Sequence, residues 1–211
     1  QLSTLNSQLS TLNSQLSTYI LAWTTTPWTL PSNTALCVGP KIDYVALKGK
    51  NPYTGEEAIY IMAEARVSAY FQATEEAPLD IIWRGKGEDL LGIRYEQLMP
   101  WVKPCALEGD KIIVKESEAF RVIPGDYVTT EDGTGIVHIA PTFGADDAKV
   151  AKDAGIPSLF IIDKAGDTRP MVDFTGKYFV KDDIDEEFLR LCVNDSYWKH
   201  AGNFVKNAYD P

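Results

Sequence analysis

Two short stretches of the 211-residue chain concentrate side chains able to do chemistry. The first, AWTTTPWTLPSN at 22–33, sets Thr24, Thr25, Thr26 and Thr29 within six positions and interrupts them with Pro27 and Pro31. The second, DGTGIVHIAPTFGADD at 132–147, carries His138 on an apolar run and closes on Asp146 and Asp147. Clustered hydroxyls can share a pocket wall, an imidazole can line it, and a carboxylate can hold a cation. Each group also has a plainer use. Threonine favours strands, which would leave Trp28 and Leu30 as core, and a lone histidine often bonds a carbonyl inside the core. One aspartate of the pair suits a helix N-cap, which leaves the other to be explained.

The elements that carry these groups read as follows. YILAWTTT is strand-like, so alternation directs Thr24 and Thr26 to one side and Thr25 to the other. Pro27 has no donor N–H and steers Thr26 into extended geometry, which frees backbone groups at the strand end for a ligand. In the second stretch alternation sets Ile136, His138 and Ala140 on one face and Val137 and Ile139 on the other. DDAKVAKDAG then reads as a short helix stopped at Gly155.

The remaining segments are mostly short strands between turn signals: TALCVGP, KIDYVALKG, EEAIYIMA, DKIIVKE and SLFIID. EARVSAYFQAT has helical spacing, with Val67, Tyr70 and Phe71 on one side. DDIDEEFLRLCVN predicts a helix with Asp183 and Glu186 as an acidic form of capping box and with Ile184, Phe188, Leu191 and Cys192 facing inward. Residues 1–18, QLSTLNSQLSTLNSQLST, repeat leucines at heptad spacing among Ser, Thr, Asn and Gln, and are read as a low-complexity tag or artefact. Residues 19–211 are read as one α+β domain, a barrel-like, strongly bent β-sheet surrounded by helices. The C-terminal YWKHAGNFVKNAYDP is expected to return over the surface, His200 included.

Composition narrows the function classes. A formal net charge of -10 argues against a free-standing nucleic-acid binder, so any nucleic acid is touched at its end or held elsewhere. Cys37, Cys105 and Cys192 lie far apart and the chain has two histidines, which suggests neither a disulfide framework nor a zinc site and fits a reducing, cytoplasmic setting. No stretch approaches the roughly 18 apolar residues of a membrane helix, and no ordered signal peptide is present.

WTTTPWTLPSN together with GTGIVHIAPTFGADD closely resembles the editing domain of the isoleucyl-tRNA synthetase family, over about residues 19–211. In the related valyl and leucyl enzymes Arg-Pro follows the threonines, whereas here Thr26-Pro27-Trp28 points to the isoleucine member. The resemblance implies hydrolysis of the ester in mischarged Val-tRNA(Ile), with isoleucine excluded by pocket size. It assigns Thr24, Thr25, Thr26 and Thr29 to a threonine-rich wall followed by Asn33; the candidate catalytic residues are Asp147, Thr26, Thr24 and Thr25, and the candidate substrate-binding residues are His138, Thr29, Trp28, Asn33, Gly135 and Asp146. His138 would limit side-chain size and Asp147 would hold the substrate's amino group, while Thr26 would hold the attacking water. The implied partners are the 3′ end of the mischarged tRNA, valyl-adenylate and the rest of a synthetase chain, with no membrane. No cofactor is implied for this domain, because ATP and Mg serve the activation site, whose His-Ile-Gly-His-like and Lys-Met-Ser-Lys-Ser-like signatures are absent here. A non-catalytic module binding an amino acid or a tRNA end is the alternative.

Overall fold

The computed structural model describes residues 16–73 and 78–205. Most of the leucine repeat therefore lies outside the described residues, although β1 begins within its last positions, at Ser17. The described chain forms β1 (Ser17–Ile20), β2 (Ala35–Val38), β3 (Asp43–Lys50), β4 (Glu57–Ala63), the one-turn helix α1 (Val67–Tyr70), β5 (Asp80–Lys86), β6 (Cys105–Glu108) and β7 (Lys111–Val114). It continues with β8 (Arg121–Pro124), β9 (Ile136–Ile139), α2 (Ala145–Asp153), β10 (Ile161–Ile162), β11 (Thr168–Arg169) and α3 (Glu186–Cys192). The class is the expected mixed α+β, mostly sheet with short helices. No closed barrel is found among the described residues, whose strands form four sheets.

The chain divides into two compact units. The first is 1–24 with 36–93 and 122–137, and the second is 25–35 with 94–121 and 138–211. Strands β8, β2 and β9 pair in that order.

The first unit is built on the sheet β1-β4-β3-β5. Tyr44 to Leu47 and Ala58 to Ala63 are all buried, so the central strands are apolar on both faces and show no alternation. A register shift between Ala46 and Leu47 interrupts β3 against β5 and bends it. The helix expected from EARVSAYFQAT shrinks to a 3-10 turn at Glu64–Arg66 and the single turn α1. Only Val67 of α1 is buried, and Phe71 leaves the helix in extended conformation to set its ring against Tyr60 at 5.4 Å. One buried position cannot hold a longer amphipathic helix in place.

A hydroxyl bridge supports the glycine turn that leads into β9. The Tyr44 hydroxyl accepts from the Gly39 N–H at 3.0 Å and donates to the Gly135 carbonyl at 2.6 Å. Gly135 itself has φ near 73°, in the left-handed region that favours glycine.

In the second unit, β6-β7 and β10-β11 are short antiparallel pairs. Its core gathers Val102, Phe120, Ile161, Ile184, Phe188 and Tyr197. Helix α3 buries Phe188 and Cys192 as expected, but its cap differs: the Asp185 carboxylate accepts from the Phe188 N–H at 2.8 Å, while Asp183 belongs to the preceding 3-10 turn, Lys181–Asp183. The turn holds the chain extended at Ile184, which moves the helix start two residues on. The side chain of His200 is not a free surface group, because its ring stacks on Trp101 at a centroid distance of 4.0 Å. No described helix is long and apolar enough to cross a membrane.

Gly135 is a position where stability is easily tested. A Cβ there would lie 2.4 Å from the Ala63 Cβ, on a backbone that side chains rarely adopt. Gly135→Ala is expected to lower unfolding stability by about 3 kcal/mol, combining overpacking with backbone strain. Urea denaturation checks this, and a loss under about 1 kcal/mol would mean that the turn relaxes freely.

Candidate active site

The threonine segment is not a strand. Trp23 makes one parallel bridge to Val137, after which Thr24, Thr25 and Thr26 follow a bend into the 3-10 helix Pro27–Ser32. Proline at the first helical position costs no hydrogen bond and presets φ, so PWTLPS coils where an ordinary residue would have continued the strand. The strand that the expected alternation presupposes is therefore absent, although Thr24 and Thr26 are half-buried and Thr25 is exposed.

Coiling turns Thr29 inward instead, leaving it 7% exposed. Its N–H donates to the Thr26 carbonyl at 3.0 Å, and its hydroxyl donates to the same carbonyl at 2.8 Å. The Thr29 Oγ1 also lies 3.1 Å from Nε2 of His138 and 3.4 Å from the Thr26 Oγ1. In the Thr29–His138 bond either Oγ1 or Nε2 can donate, according to the tautomer of the ring.

His138 is 8% exposed on β9. Burial lowers its pKa below the ordinary 6.5, and the nearby Asp147 charge opposes that shift without cancelling it. The imidazole is thus neutral at neutral pH.

Asp147 sits in the first turn of α2 together with the exposed Asp146. Neither caps the helix, because the N-cap is Gly144 and no side chain bonds the first turn. The Asp147 Oδ2 reaches back across the loop and accepts from the Ala140 N–H at 2.8 Å, two residues beyond His138. The carboxylate thereby ties α2 to the end of β9.

The second unit thus brings Thr26, Thr29, His138 and Asp147 into one neighbourhood. Thr25 is exposed, and Trp28 is half-buried beside Thr29 in the same 3-10 helix. Thr24 and Gly135 belong to the first unit. Asn33 is 5% exposed and fully engaged: its Nδ2 donates to the Ala35 carbonyl at 2.9 Å and to the Ile139 carbonyl at 3.5 Å, and its Oδ1 accepts from the Tyr95 hydroxyl at 2.6 Å. Tyr95 escaped the sequence reading, since GIRYEQ has no motif and only the fold carries it to Asn33. Among the described residues no group of three or more His, Cys, Asp or Glu side chains could hold a metal ion.

The fold is that of the leucyl-tRNA synthetase editing domain. The Plasmodium falciparum cytosolic editing domain matches with a TM-score of 0.53 over 74% of this chain and 58% of its own, at 14% identity. The P. knowlesi counterpart matches with a TM-score of 0.50 over 71% and 60%, at 18% identity. No family model matches the sequence. Isoleucine–tRNA ligases do: that of Bacteroides thetaiotaomicron is 56% identical over 92% of this chain, and that of Porphyromonas gingivalis 49% identical over 91%. The chain belongs to the isoleucine–tRNA ligase family, and it spans only 18% and 17% of the length of those two relatives.

The depressed pKa of His138 has a consequence for folding. Because the folded-state pKa lies below the unfolded value of 6.5, the unfolded chain takes up the proton first, and stability falls as the pH drops below about 6.5. Thermal unfolding between pH 7 and pH 5.5 should therefore show a steeper loss for the natural protein than for His138→Gln. Equal slopes would show that His138 is not held neutral.

Proposed function

We propose that this chain is an editing module that hydrolyses the ester of Val-tRNA(Ile) and spares Ile-tRNA(Ile). The observation that carries the proposal is the pairing of a buried, neutral Thr29–His138 wall with the Asp147 carboxylate on one short neighbourhood. Membership of the isoleucine–tRNA ligase family and the editing-domain fold support it.

The need for such a site is energetic. One methylene is worth only about 1–3 kcal/mol in an apolar pocket, a limit for which isoleucine against valine is the standard worked case. A pocket that admits valine and is too short for isoleucine replaces affinity by exclusion.

In the proposed reaction Asp147 pairs with the α-ammonium, so that every amino acid enters in one pose. Its free carboxylate oxygen does this while Oδ2 stays on the Ala140 N–H. The side chain then points at His138, whose neutral ring, fixed by Thr29, sets the depth. Thr26 holds a water against the acyl carbonyl. Water adds to that carbon, the bond to the ribose oxygen breaks, and valine leaves with a proton returned to the terminal hydroxyl. The ester is already activated, so positioning and stabilisation of the oxyanion suffice without a covalent intermediate. A threonine hydroxyl is a weak base, so in this scheme the neighbouring ribose hydroxyl relays the proton, taking one from the attacking water as it gives its own to the leaving ribose oxygen. Valyl-adenylate presents the same ammonium and side chain and fits the same anchor.

Side-by-side hydrolysis of Val-tRNA(Ile) and Ile-tRNA(Ile) tests the proposal. Asp147→Ala should lower valine release by about 100-fold, the scale of losing one partner of a close charge pair. His138→Ala should open the pocket and raise isoleucine release about tenfold or more. Wild-type turnover by Asp147→Ala would remove the anchor, and unchanged rejection of isoleucine would remove the size limit. No turnover by the unaltered chain, with binding of a valyl-adenosine analogue retained, would make it a binding module.

A further inference from the structure

We infer that Tyr95, which lies outside both motifs, is a positioning residue of this site and acts through Asn33. Asn33 follows the 3-10 helix that carries Thr29, and its N–H closes that helix on the Leu30 carbonyl at 3.0 Å. Its side chain grips the other half of the site: Nδ2 donates to the carbonyls of Ala35 and Ile139, the latter next to His138. The backbone reinforces the grip, since the Thr34 N–H donates to the Ile139 carbonyl at 2.9 Å.

An amide can turn over, exchanging its acceptor for its donor. Turned over, Asn33 would face two carbonyls with an oxygen and lose both bonds. Those two carbonyls therefore set the orientation, and the Tyr95 hydroxyl, which donates to Oδ1 at 2.6 Å, adds a third bond that holds the amide in it. Tyr95 is itself fixed, its ring edge-on to Phe120 at 6.0 Å and its N–H on the Phe120 carbonyl at 2.9 Å. Burial pushes its phenol far above the usual tyrosine range, so the proton it donates stays in place at working pH. One hydroxyl from outside the motifs thus adds the third bond that anchors the amide holding the threonine helix against the histidine strand.

The activity arm of the test rests on the editing reading, and the spectroscopic arm does not. Tyr95→Phe keeps the ring and removes the hydroxyl. It should lower kcat for Val-tRNA(Ile) hydrolysis about fivefold with KM little changed, the scale of one neutral hydrogen bond. In an Asn33→Ala background the same change should alter the rate less than about twofold, because the partner is already gone. Full activity of Tyr95→Phe, or an equal effect in both backgrounds, overturns the inference. By NMR of the unaltered chain the Asn33 side-chain amide protons should be protected from exchange and distinct in shift. In Tyr95→Phe they should exchange faster and the His138 ring signals should move. Unprotected Asn33 amide protons in the unaltered chain overturn the inference whether or not the chain hydrolyses anything or the variant folds.

Discussion

A neutral imidazole inside an apolar strand must be held by hydrogen bonding, and the rest of the site is arranged around how His138 is held. Thr29 supplies the contact at 3.1 Å, and it can do so only because PWTLPS coils. As a strand, the segment would have carried its hydroxyls on alternate faces and spread them along a pleat. As a 3-10 helix begun by Pro27, it places one hydroxyl within hydrogen-bond reach of both the ring and the Thr26 carbonyl.

The same logic explains why Asp147 is not a cap. A capping aspartate would contribute about 1 kcal/mol to α2. Here Gly144 takes the N-cap and the carboxylate satisfies the Ala140 N–H instead, a charge-assisted bond worth about 1.5–3 kcal/mol when buried. The outcome is a carboxylate fixed to the strand end, close enough to act electrically on His138 yet too weak an influence to charge it. Desolvation wins over a single nearby charge, so His138 stays neutral.

Asn33 and Tyr95 show how a site is held by residues with no chemistry of their own. Asn33 uses both amide protons and an oxygen lone pair, a fully engaged buried side chain of the kind that specifies one geometry. Few substitutions could replace it, since an acid would offer no proton to the two carbonyls and an alkyl group would leave them without it.

Sequence alone identified the strands β2 to β4, β7, β9 and β10, the helices α2 and α3, and the family, because local propensity and specific motifs are written in consecutive residues. It also marked Ile184, Phe188 and Cys192 as inward-facing, which periodicity determines. It misjudged the threonines, α1 and the cap of α3, where a proline, a single buried side chain and a neighbouring turn overrode the local pattern. Which aspartate turns back to Ala140, which threonine meets His138 and that Tyr95 meets Asn33 were decided by tertiary structure. Each of these is a contact between side chains or backbone brought close by loops and sheet pairing, and a hydrogen bond depends on distance and direction, which no spacing along the chain encodes.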